Sequence, residues 1–156
     1  MKTWIVVPVV FLMTFTVQQS AEAQERTFGL GGSIGDPYGL SAKLWLSENT
    51  AIAAGLGFGI ADEIGFFQLQ ADFLLHKPID LDWDAGTLQF YYGGGLGLYS
   101  GSRWDVIYIR IPLGMSMNFL DAPLDIFLET VPYMEVDPDF YFSFTGAAGF
   151  RYYFGK

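Results

Sequence analysis

The sequence predicts an all-β protein: an eight-stranded antiparallel up-and-down transmembrane β-barrel preceded by a cleaved signal peptide. Three observations predict it. Large apolar residues alternate with small or polar ones at a period of two, over stretches longer than an ordinary strand of about five or six residues. No stretch carries a helical period, and turn-type clusters separate the alternating segments. The small residues and the strand charges share one face while the large apolar groups hold the other, the inverse of a water-soluble barrel.

The elements follow in order. Lys2 gives a positive start, residues 4–17 form an almost uninterrupted apolar run, and Ala21-Glu22-Ala23 closes a polar stretch with a small-x-small cleavage pattern. The run is short for a membrane-spanning anchor helix, so residues 1–23 are expected to be a secretory signal peptide and 24–156 the barrel. Eight alternating segments are then expected at 27–35, 39–47, 51–60, 66–76, 86–99, 106–119, 124–134 and 140–154. Between them lie DPY, ENT, ADEIG, KPIDLDWD, SGSRWD, LDAP and EVDPD.

In the third segment the small side carries Ala51, Ala53, Gly55, Gly57 and Gly59. In the fifth it carries Gly93, Gly95 and Gly97 between Thr87, Gln89, Tyr91 and Tyr99. Such rows make a poor water-facing surface but suit the lumen of a narrow barrel, where side chains must interdigitate. The sixth segment, VIYIRIPLGMSMNF, sets an Ile, Leu, Met and Phe row against Tyr108, Arg110, Pro112, Gly114 and Ser116. In the eighth, Phe140, Phe142, Phe144, Phe150, Tyr152 and Phe154 share a side, and Gly149, Arg151 and Tyr153 the other. The face bearing Phe58, Phe73, Phe90 and Phe144 is expected to meet lipid. Closure follows, because in hydrocarbon each unpaired backbone group costs several kcal/mol and an open sheet edge does not span. Trp45, Tyr92, Tyr99, Trp104 and Tyr152, near segment ends, are expected in interfacial aromatic girdles.

Composition narrows the function. The chain has no cysteine, which excludes disulfides, thiolate metal sites and a cysteine-linked lipid anchor. Without Lys2 and Glu22, seven Lys and Arg face sixteen Asp and Glu, so no basic stripe exists to neutralise nucleic-acid phosphates.

GLGGSIGDPYGLSAKLWLS (29–47), APLDIFLETVPYM (122–134) and the terminal GFRYYF resemble a family of small bacterial outer-membrane barrels. The resemblance implies fold and location: a shape related to the eight-stranded transmembrane domain of OmpA-like porins, in the outer membrane. It brings no catalytic residues; outer-membrane lipid and an extracellular protein ligand are the candidate partners. The ending also resembles the signal read by the barrel-assembly machinery, with Gly149, Tyr152 and Phe154 in its places. Gly155 and Lys156 extend past that Phe, whereas the usual signal is strictly terminal.

Candidate sites are few. His76 is the sole histidine, and Ser41, Ser116 and Ser143 are the strand serines with which a hydrolase would have to pair it. At the end of a segment before Lys77-Pro78, His76 is expected at the interface instead. Asp80, Asp82 and Asp84, with Asp62 and Glu63, form an acidic set lacking the glycine and terminal Glu of an EF-hand loop, and a solvated loop is expected. No glycine run spells a dinucleotide fingerprint, and no cofactor or metal is expected. The lumen charges are the remaining group: Lys43, Asp72, Arg110, Asp125, Glu129 and Arg151. Asp125 is expected opposite Arg151, and Lys43 opposite Gly55, reaching toward Gln70 or Asp72. Buried charges persist when paired, so a salt-bridged plug is expected. The alternatives are a narrow ion path with selectivity set by Lys43, Arg110 and Arg151, and a soluble periplasmic carrier of a lipophile.

Overall fold

The computed structural model describes residues 27–61, 64–81, 84–101 and 105–155. The expected signal peptide, together with Asp62, Glu63, Asp82, Trp104 and Lys156, lies outside the described residues. The strands are β1 (Phe28–Gly35), β2 (Gly39–Trp45), β3 (Thr50–Ala61), β4 (Ile64–Ile79), β5 (Gly86–Gly101), β6 (Asp105–Arg110), β7 (Leu113–Phe119), β8 (Leu124–Asp137) and β9 (Tyr141–Phe154). All neighbours pair antiparallel, and β9 returns to β1 to close the ring.

Nine strands make eight staves because β6 and β7 are one stave interrupted at Ile111-Pro112. Pro112 has no N–H to give the ladder, so regular pairing lapses there. The register nevertheless runs straight through. On β5, Arg110 sits opposite Gly95 and Leu113 opposite Tyr92; on β8 they sit opposite Tyr133 and Thr130. Bonds from Gly93 N to Pro112 O (3.1 Å) and from Ile111 N to Pro132 O (2.9 Å) hold the gap.

β4 also runs three residues beyond the expected end at His76, pairing Lys77 with Phe90 and Pro78 with Gln89. β8 gains a bulge: Ile107 faces Asp137 and Tyr108 faces Glu135, so Val136 is the extra residue. Gly35, at φ 109°, starts the turn into β2, a conformation that L side chains rarely adopt.

The two faces differ as the alternation predicts. Leu128 is 67% exposed, Phe144 66% and Leu96 60%, whereas Arg110 is 1% exposed and Asp125 0%. The core therefore lies inside the ring, and large side chains sit opposite small ones. Gly97 faces Tyr108, Gly114 faces Tyr91, Gly149 faces Phe127 and Gly29 faces Tyr153 as direct cross-strand partners. A Cβ on Gly149 would lie 2.7 Å from the Phe127 ring, one on Gly29 2.8 Å from Tyr153, and those on Gly97 and Gly114 would enter the facing rings. Each of these glycines is thus the seat of an aromatic ring, which covers its bare backbone.

Candidate functional site

The lumen is filled in layers. Nearest the chain ends, β8 supplies Asp125, whose Oδ2 lies 3.5 Å from Arg151 Nη1 and 3.8 Å from Lys43 Nζ. The same oxygen accepts a hydrogen bond from the Tyr153 hydroxyl at 2.8 Å. Arg151 Nε donates to Ser41 Oγ at 2.9 Å, and its guanidinium lies 3.9 Å from the Phe127 ring centroid. The Lys43 ammonium sits 4.2 Å over the Trp45 ring.

Asp125 faces Arg151 across β8–β9. Lys43 is a correction. It faces Ala53, not Gly55, and reaches Asp125 across the lumen rather than Gln70 or Asp72. Ser41 takes the place opposite Gly55. Adjacent-strand register does not give this partner, because a long lysine in a narrow barrel can span its bore.

The next layer centres on Arg110. Its Nε lies 3.0 Å from Asp72 Oδ1 and its Nη2 3.0 Å from Glu129 Oε1, while Nη1 donates to Gln70 Oε1. Glu129 also accepts from the Tyr91 hydroxyl at 2.8 Å. Lys43, Arg110 and Arg151 therefore share the lumen with an equal number of carboxylates, Asp72, Asp125 and Glu129. The void between the layers, bounded by Gly55, Phe127, Glu129 and Arg151, is about 20 Å³. That is room for about one water molecule.

Above Arg110 the lumen opens. Gln68 donates to Tyr108 Oη at 2.9 Å and to Asp36. Asp36 reaches it because the β1–β2 turn folds inward: buried Pro37 accepts from Ser33 Oγ at 2.9 Å and packs over Gly55 and Gly57. Beyond this floor is a mouth of about 380 Å³, walled by Phe66, Tyr99, Tyr108 and Tyr133, with Asp36 and Glu135 at its edge. The sequence hinted at it only as aromatic residues of lumen parity near strand ends.

Other expected positions are revised. His76 is 2% exposed and points inward, its ring 4.4 Å from Trp45 and 5.3 Å from Tyr91. It is no interfacial residue, because β4 continues past it. Neither ring nitrogen has a hydrogen-bond partner among the described residues, and Ser41 is engaged by Arg151, so no base–serine pair forms there. Trp45 is 7% exposed and Tyr99 lines the mouth, so neither belongs to an outer girdle; both have lumen parity. Tyr152 is 45% exposed on the outside and Tyr92 is half-buried. Among the described residues no three potential metal ligands cluster.

Gly149 faces inward under Phe127. Tyr152 and Phe154 face outward, their rings 5.1 Å apart, and pair with Leu30 and Phe28 of β1.

Among solved structures, the chain is similar to the N-terminal β-barrel domain of Pseudomonas aeruginosa OprF, with a TM-score of 0.63 at 15% identity. The match covers 85% of this chain and 100% of that one. At that identity the likeness is one of fold, and it shows the OmpA-like barrel shape that the sequence resemblance implied. No protein-family model matches the sequence, and neither does any curated protein.

Proposed function

We propose that the protein is an integral barrel of the bacterial outer membrane with an ion-paired plug in its lumen, and that its role is structural or interactive rather than enzymatic. The observation that carries this is the inversion of the two faces. Phe144, Leu128 and Leu96 stand outward while Lys43, Arg110, Asp125 and Arg151 are buried inside. Water rewards the opposite arrangement, whereas hydrocarbon favours this one. The ring closure between β1 and β9 agrees with it, since no sheet edge is left to lipid. Residues 1–23 would direct export and be removed. Gly149, Tyr152 and Phe154 would be read by the barrel-assembly machinery before they join the wall. All connections are short, so an extracellular protein partner would contact strand ends and the mouth more than loops.

Membrane fractionation with a heat-modifiability gel tests the location and the closed barrel together. The protein should partition with outer-membrane lipid and migrate faster unheated than boiled. Recovery in the detergent-free soluble fraction would instead mean a soluble carrier. Planar-bilayer recording tests the plug: no steady conductance is expected. A steady conductance that changes when Arg110 is replaced would establish the narrow-channel alternative.

A further inference from the structure

The charges of the lumen and those of its mouth obey different rules. Below Gln68, cations and carboxylates are equal in number and in mutual contact. At the mouth, Asp36 and Glu135 add two carboxylates, and among the described residues no cation lines that space. Asp36 is hydrogen-bonded to Gln68, a neutral amide. Glu135 makes no ion pair with any described residue and stands opposite Tyr108 in the regular register that also sets Tyr133 opposite Arg110. The walls are aromatic. Phe66 and Tyr99 stack at 5.4 Å, and Tyr108 and Tyr133 meet edge-on at 5.7 Å.

We propose that the mouth binds an organic cation, an alkylammonium or guanidinium group held among these four rings and two carboxylates. Ring faces attract weakly hydrated cations, and the attraction grows as water is excluded. The sign of the site disfavours anions. Hard metal ions need about six oxygen ligands, or keep their water, and neither suits two carboxylates between aromatic walls. The volume, about 380 Å³, falls in the range of small-ligand sites. The cation has two possible sources with the same chemistry: a free small amine, or a lysine or arginine side chain of a partner protein. Exposed Asp105, Asp137 and Asp139 stand at the same end of the barrel and would steer a polybasic partner. The proposal goes beyond the membrane role and needs only the closed barrel.

The test uses the full protein purified in detergent micelles, its folding checked by heat-modifiability. Tetramethylammonium and a capped pentalysine peptide are titrated at constant ionic strength, with tyrosine NMR shifts as readout. Saturable binding of tetramethylammonium is expected, weakened about tenfold by Glu135→Gln and again by Tyr133→Leu. Asp84→Asn, at the other end, should leave it unchanged. Pentalysine binding at least tenfold tighter, and weakened by Asp137→Asn, identifies a partner's side chain as the source; equal or weaker binding identifies a free amine. Absence of saturable binding, binding that survives both mouth substitutions, or displacement by magnesium at equal concentration would overturn the proposal.

Discussion

The ion-paired layers and the mouth are built on the same strands, yet they solve opposite problems. β8 contributes Asp125 and Glu129 to the first and Glu135 to the second; β4 contributes Asp72 to one and Phe66 to the other. In the layers, charge is buried and every carboxylate has a cation within 3.8 Å or less. At the mouth, charge borders on solvent and has no cation beside it among the described residues. The difference teaches which residues serve stability and which remain available for recognition. A buried charge is retained at the cost of its dehydration, so its partner is part of the fold. A carboxylate at an open rim carries no such obligation.

Substitutions can break or sharpen this contrast. The largest effect is expected from Asp125→Ala. It strands the Lys43 and Arg151 cations and the Tyr153 hydroxyl, and should lower stability by about 3–5 kcal/mol, read as a fall in the urea midpoint on heat-modifiability gels. Next comes Leu128→Arg on the outer face, expected to cost about 2–4 kcal/mol when the barrel is folded in lipid vesicles. A neutral outcome there would mean that this face meets water. Gly97→Ala should then cost about 1–3 kcal/mol by lifting the Tyr108 ring from its seat, with a tyrosine near-ultraviolet dichroism change as a second readout. Smallest is Glu135→Gln, expected to move the urea midpoint by no more than about 0.5 kcal/mol while abolishing most cation binding. A loss as large as that of Asp125→Ala would erase the distinction between the two regions.

Alternation made the staves and their facing legible, because parity is a local property: Lys43, Asp72, Arg110, Asp125, Glu129 and Arg151 all lie on the inward side that their positions imply. The Asp125–Arg151 pairing was legible for the same reason, since both residues count outward from the short turn at 138–140 that joins β8 to β9. Lys43 to Asp125 was not. That contact crosses the bore from β2 to β8, and its partner depends on the stagger of the whole ring. His76 was misplaced because Lys77-Pro78 has the composition of a turn, while the backbone there continues against Phe90 and Gln89. Pro at an otherwise regular position is ambiguous from sequence, as Pro112 illustrates from the other side. The glycine rows were legible as space, but not as seats for particular rings, because that requires the register of two strands at once.

The seam between β1 and β9 sets an order in time. Phe28 lies beside Phe154, so the first strand finds its second neighbour only when the last one is present. β1 is FGLGGSIG, with four glycines in eight residues, and has little intrinsic tendency to hold an extended shape alone. Loop-closure entropy must be met before the pairing returns anything, which makes such long-range contacts late. β1 would therefore stay unstructured while the staves from β3 onward pair, then zip between β2 and β9 as the final cooperative event. Until that moment the sheet has two open edges, each a row of unpaired backbone groups.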